Sequence, residues 1–198
     1  GQGNTINPLI SLTDKKVYDI PLLMLIGWRG EPNKKDEPQH IRQGEITLEL
    51  LDLLKIPYKI LSDSNLEIEK EITEVVKGIK SKNCTHAIII KKKTFENYKS
   101  KYNLDKEIFK LNREECLEII LRELNKDEII ISSTGKISRE IFENGKRFDK
   151  NNKNYFLTVG SMGHSSQIAL GVAVNKPERE VYCIEGDGSM IMHMGGLS

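Results

Sequence analysis

The sequence predicts an α/β protein built from two doubly wound, mostly parallel sheets. Three observations predict it. Short apolar runs alternate with segments of helical period along the chain. A polar stretch over 93–111 has no clean period, and the alternation restarts after it. In the second half, turns rich in glycine and hydroxyl residues follow strand-like or extended segments, as strand-to-helix connections do in such folds.

The elements follow in order. "PLLMLIG" (Pro21 to Gly27) reads as a buried strand. "EITLELLDLLK" (Glu45 to Lys55) places Ile46, Leu50 and Leu53 on one helical face. "PYKIL" (Pro57 to Leu61) is a short strand. "NLEIEKEITEVVKGIK" (Asn65 to Lys80) sets Leu66, Ile72, Val76 and Ile79 on one stripe. "THAIIIKK" (Thr85 to Lys92) is a second buried strand. Beyond the polar stretch come a helix over Arg113 to Leu124 and a strand over Glu128 to Ser133. An amphipathic helix over Ser165 to Lys176 and a strand over Glu180 to Glu185 complete the series. The domains expected are 1–92 and 112–198, joined by a linker over 93–111.

Bulk composition narrows the function. The 198 residues are 38% hydrophobic and 30% charged, with 30 Lys+Arg against 29 Asp+Glu. A net charge of +1 argues against a nucleic-acid partner. The basic runs at 91–93 and 145–153 read as solvated surface. The longest apolar run, Ile20 to Gly27, is far short of the ~20 residues a membrane span needs. Cys84, Cys116 and Cys183 are widely spaced, which is neither a zinc pattern nor a disulfide framework. A reducing cytoplasm is the default expectation.

Three turns can carry chemistry. "SSTGKISRE" (Ser132 to Glu140) puts hydroxyls and a glycine at a strand end, where an anion can be cradled. The plain alternative is an ordinary helix start capped by Ser138. "VGSMGHSSQIALG" (Val159 to Gly171) holds Gly160 and Gly163, which let the backbone approach a ligand closely. On composition alone, Met162 is core filler and His164 a capping or surface histidine. "GDGS" (Gly186 to Ser189) flanks Asp187 with glycines after an apolar strand, which suits Mg²⁺. Its plain alternative is a hairpin turn, for which Asp-Gly is the common signal.

In this combination and order, residues 128–198 resemble the pyrophosphate-binding domain of thiamine-diphosphate enzymes. The first half is similar to the phosphonopyruvate decarboxylases of that group. The likeness lies in "GQGNTINPLISL" (Gly1 to Leu12), "PLLMLIGWRGEP" (Pro21 to Pro32), "KDEPQH" (Lys35 to His40) and "QGEITLELLDLLKIPY" (Gln43 to Tyr58). The loop "GWRGEP…DEPQH" is the most specific part. The resemblance implies a pyrimidine-binding domain followed by a pyrophosphate-binding one. The family's metal motif opens on Gly-Asp-Gly and closes on an asparagine further downstream, and its catalytic glutamate lies upstream of Gly1. The sequence is therefore expected to be a fragment lacking both ends, cut within its own cofactor motif and inactive alone.

The resemblance also implies roles. Asp187 is expected to hold Mg²⁺ against the diphosphate of thiamine diphosphate. Thr134 and Ser189 are expected to hydrogen-bond that diphosphate, beside Gly186 and His164. The Gly160 carbonyl would accept from the pyrimidine amino group, and Met162 would wedge the cofactor into its bent form. His40, in the loop after the first strand with Asp36 and Glu37, is the proton-transfer candidate. Arg29 is the candidate to bind the substrate phosphonate, since a guanidinium fork matches an oxyanion. The implied reaction is a carbon–carbon lyase step, decarboxylation of 3-phosphonopyruvate to phosphonoacetaldehyde, which feeds aminoethylphosphonate synthesis. Active sites at the subunit interfaces of a homo-oligomer are implied too. Sulfopyruvate decarboxylation is the nearest rival. A carboligase with a middle domain is disfavoured by the short linker. A nucleotide-binding module is disfavoured because "STGKIS" lacks P-loop spacing.

Overall fold

A computed structural model describes residues 2–99, 110–148 and 152–198. The chain divides into two units, Gly1–Lys99 and Ser100–Ser198. The expected linker lies partly outside the described residues, at 100–109, as does part of the basic run 145–153.

Unit 1 opens with a 3-10 turn and a short helix α1 (Ile6–Leu9). There follow β1 (Leu23–Gly27), α2 (Pro38–Leu53), β2 (Tyr58–Ile60), α3 (Asn65–Lys82) and β3 (His86–Ile90). The three strands are parallel in the order β1-β3-β2. β3 is central and reads as an unbroken apolar run because both its faces are covered. Ala87 and Ile89 join Leu9, Leu51 and Ile56 on one side, while Ile88 joins Leu61 and Val75 on the other. The alternation places α2 and α3 on opposite faces of the sheet, the doubly wound arrangement.

Three expectations for unit 1 shift. β1 is an edge strand, paired only with β3, and its outer face is open, with Leu25 67% exposed. The buried stripe of α2 is Gly44, Thr47 and Leu51, and Leu53 is 77% exposed. The stripe of α3 runs through Ile68, Ile72, Val75 and Ile79, leaving Leu66 85% exposed. In both helices contact with the sheet, not the apolar period alone, sets the buried face.

Unit 2 comprises α4 (Arg113–Glu123), β4 (Ile129–Ser132), α5 (Lys136–Arg147), β5 (Tyr155–Leu157), α6 (Ser165–Asn175), β6 (Val181–Ile184) and α7 (Asp187–Met192). Its strands are parallel in the order β5-β4-β6. α4 and α5 pack together over Ile130 through Leu117, Leu121 and Ile141. α6 packs on β4 and β6. The chain leaves β4 to one neighbour through α5 and recrosses to the other through α6. Right-handed crossovers then put α5 and α6 on opposite faces. The helix α7, which starts at Asp187, excludes the hairpin alternative for Asp187-Gly188.

Candidate functional site

Two groups of residues stand out, one in each unit, both just beyond the C-terminal ends of parallel strands, where open α/β sheets place their ligands.

In unit 2 the ends of β4, β5 and β6 are stitched together by hydroxyls. The Gly160 amide donates to Thr134 Oγ1 at 3.0 Å. The Gly186 amide donates to Ser133 Oγ at 3.3 Å. The Gly163 amide donates to Ser189 Oγ at 2.9 Å. Thr158 Oγ1 donates to the Ser132 carbonyl at 2.9 Å. The Thr134 hydroxyl thus keeps its own proton for a ligand. Ser189 does not, because its Oγ also donates to Glu185 Oε1 at 3.0 Å and the residue is 1% exposed. What Ser189 has left to offer is its backbone N–H.

The helix starts around these loops are bare. α5, α6 and α7 begin at Gly135, His164 and Gly186 with no side-chain cap. α4, whose first residue Arg113 pairs with Glu140 of α5, has by contrast a full capping box between Asn112 and Glu115. Uncapped first-turn N–H groups are ready partners for an anion. Ser138 is not the cap of α5. It lies inside the helix and donates to the Ser133 carbonyl at 2.7 Å. The turn before α6 has Gly160 at φ 81°, Ser161 at 46° and Gly163 at 91°. Gly163 is required there twice over, because a Cβ would meet His193 Cβ at 3.2 Å and Met192 Cβ at 3.3 Å.

Met162 is 40% exposed, and its Cε would stand 3.6 Å from a Cβ placed on Gly188, so the second turn lies over the third. Asp187 is exposed and has no partner among the described residues. No cluster of three or more His, Cys, Asp or Glu forms a cation site among the described residues. One open carboxylate beside an anion-binding edge still fits Mg²⁺, which takes one or two carboxylates and completes its shell with phosphate oxygens and water. The edge likewise fits a diphosphate: free helix-start amides, a spare Thr134 proton, and a buried, unpartnered Ser165 Oγ in the first turn of α6.

Sequence reasoning missed His193. Its Nδ1 lies 3.1 Å from the Gly163 carbonyl, which can only accept, so Nδ1 carries the proton. Its ring lies 4.8 Å from that of His164. Only the tertiary contact reveals it, since "MHM" alone carries no signal.

In unit 1, Asp36 is a hub. Arg29 Nε and Nη2 donate to its two oxygens at 2.9 and 2.6 Å. The amides of Gly30 and Glu37 donate at 2.8 and 2.7 Å, and His40 Nδ1 lies at 3.0 Å. The Arg29 guanidinium, with these amides, holds the Asp36 carboxyl far below the usual carboxylate range. Asp36 is therefore an orienting anion rather than a proton donor. Arg29 Nη1 and His40 Nε2 make no hydrogen bond among the described residues. His40 is not in a loop, as the sequence suggested, but in the first turn of α2, which begins at Pro38 after the N-cap Glu37.

The loop is seated by glycines. The Trp28 indole donates to the Gly44 carbonyl at 2.9 Å. A Cβ on Gly44 would lie 1.8 Å from the Gly30 carbonyl oxygen, and one on Gly30 would lie 1.9 Å from that of His40.

A pH effect follows from the Asp36 hub. A carboxylate with a depressed folded pKa contributes stability above its unfolded pKa, near 3.9, and loses it as pH falls below that value. Wild-type stability should therefore exceed that of Asp36→Asn by about 2–3 kcal/mol at pH 7. The gap should narrow steadily below about pH 4, and denaturant unfolding at pH 7, 4 and 3 measures it.

Comparison with known proteins agrees with this geometry. Residues 135–198 match the thiamine pyrophosphate enzyme C-terminal TPP-binding domain. The whole chain aligns with phosphonopyruvate decarboxylase of Streptomyces viridochromogenes, 30% identical over 212 residues and covering 51% of that protein. Residues 135–198 thus carry the C-terminal domain type of the thiamine pyrophosphate enzymes. It spans about half the length of the phosphonopyruvate decarboxylases it matches. It is also similar to the sulfopyruvate decarboxylase β subunit of Methanothermobacter thermautotrophicus, 39% identical over 44% of this chain and 43% of that protein. The α subunit from Methanococcus maripaludis is 45% identical over 29% of this chain and 33% of that protein. The two three-stranded parallel sheets with flanking helices are consistent with the domains of such enzymes. No helix among the described residues is long and apolar enough to cross a membrane.

Proposed function

We propose that this chain serves the decarboxylation of 3-phosphonopyruvate to phosphonoacetaldehyde and CO₂. The observation that carries the reading is the bare edge of the unit 2 sheet, where uncapped helix starts, the Thr134 hydroxyl and Asp187 lie together. Similarity along the full chain to phosphonopyruvate decarboxylase supports the substrate. Thr134, Gly160, Met162, His164, Gly186 and the Ser189 amide would hold thiamine diphosphate, and Asp187 its Mg²⁺. Bound there, the cofactor supplies an electron sink for the carbanion that decarboxylation leaves.

The chain's own residues do the rest. Arg29 offers its uncommitted Nη1 to the phosphonate while Asp36 fixes the rest of the guanidinium. Asp36 also holds His40, so that Nε2 can take or return a proton at one place. Glu37, at the N-cap of α2, adds negative charge beside Arg29. In this reading unit 1 belongs to the pyrimidine-binding domain and unit 2 to the pyrophosphate-binding domain. The active site would form where subunits of an oligomer meet.

Sulfopyruvate is the second reading, favoured by the higher identity of the shorter matches to both subunits of sulfopyruvate decarboxylase. A sulfonate carries one negative charge fewer than a fully ionised phosphonate. The test is CO₂ release by the enzyme from phosphonopyruvate, sulfopyruvate and pyruvate, with thiamine diphosphate and Mg²⁺ present. Preference for phosphonopyruvate is expected. Preference for sulfopyruvate would replace the substrate, and no release from any of the three would end the reading.

A further inference from the structure

We propose that Lys34, Lys35, Lys92 and Lys93 form a binding site for a tetrahedral oxyanion of the phosphate or phosphonate class. These four exposed residues line an open surface pocket of about 280 Å³ in unit 1, with no acidic residue in its lining. Lys34 and Lys35 lie in the connection from β1 to α2, and Lys92 and Lys93 come just after β3. β1 and β3 are adjacent parallel strands, so both pairs gather at the C-terminal edge of one sheet.

The arrangement is built. Lys92 Nζ donates to the Lys35 carbonyl at 3.2 Å and ties one turn to the other. Each pair is turned by a non-glycine residue in the left-handed region, Asn33 at φ 63° and Lys93 at φ 69°. Such a conformation is unfavourable for a lysine, and the surrounding contacts must hold it. Two neighbouring acids are committed elsewhere. Asp36 is taken by Arg29, two amides and His40, and Asp63 pairs with Lys91 at 3.1 Å. Lys34, Lys35 and Lys93 have no acidic partner among the described residues. Ammonium groups around one small pocket repel one another, and a multivalent anion between them removes that repulsion. Lysines take phosphate as point charges, without the planar fork a carboxylate prefers.

The anion has two possible sources, the phosphonate of a substrate or free phosphate. This proposal does not rest on the decarboxylase reading, because binding is measured without turnover. Inorganic phosphate is titrated into the protein at low salt by calorimetry. The wild type, Lys34→Gln/Lys93→Gln, Lys34→Arg/Lys93→Arg and a control on α3, Lys77→Gln, are compared. Saturable binding is expected in the wild type, the arginine pair and the control. The glutamine pair should bind at least about tenfold more weakly, with an unchanged melting curve. Equal affinity in the glutamine pair, or no saturable binding in the wild type, overturns the site.

The source is read from turnover in the same variants. A raised KM for phosphonopyruvate at unchanged kcat in the glutamine pair assigns the site to the substrate's phosphonate. An unchanged KM beside lost phosphate binding assigns it to free phosphate. Both outcomes uphold the site.

Discussion

Gly44→Ala is expected to cost unit 1 at least about 3 kcal/mol, measured by denaturant unfolding. The new Cβ would sit 1.8 Å from the Gly30 oxygen and 2.6 Å from the Arg29 oxygen, and neither is the end of a flexible side chain. Backbone must move, and the backbone in question carries the loop with Arg29 on it. Gly30→Ala should do the same, with the added strain of φ 70°. Gly27→Ala is the control. A Cβ there meets nothing within 4 Å, so its effect should stay within about 0.5 kcal/mol. A stability loss for Gly44→Ala no larger than that of Gly27→Ala would mean the loop does not rest on α2 as described.

Asp187→Ala is expected to lower kcat/KM of the enzyme by at least about a hundredfold. Asp187 is the exposed, unpaired carboxylate at the start of α7, beside the bare helix starts. Removing it should leave folding intact, because it makes no described hydrogen bond. Ser189→Ala should behave in the opposite way. It breaks the joint from Gly163 to Glu185 and should cost about 1–2 kcal/mol of stability. Full activity in Asp187→Ala would remove the metal from the account.

Five of the six strands could be read from apolar runs, most plainly the central β3 and β4, which are apolar on both faces; β5 (Tyr155–Leu157) could not, being a three-residue edge strand. The face of α2 could not. Its periodic pattern begins at Glu45, but the helix starts at Pro38, and the close approach of Gly44 to Gly30 decides which side turns inward. That start carried a local signal, a proline at the first helical position, and it moves His40 from loop to helix. The glycine turns of unit 2 suggested an anion site through their order and spacing. The division of labour among hydroxyls did not show in the sequence. Thr134 and Ser189 look alike there, yet one keeps a free proton and the other is spent between two loops. His193 and Ser133 became visible only when folding brought distant loops together.

The most direct test of the account is a calorimetric titration of the enzyme with thiamine diphosphate and with thiamine, in Mg²⁺ and in EDTA. An edge built to hold a diphosphate through a metal predicts that thiamine diphosphate binds in Mg²⁺, that EDTA abolishes binding, and that thiamine binds far more weakly. Equal binding of thiamine, or binding indifferent to Mg²⁺, would contradict the assignment of Asp187 and the helix starts around it.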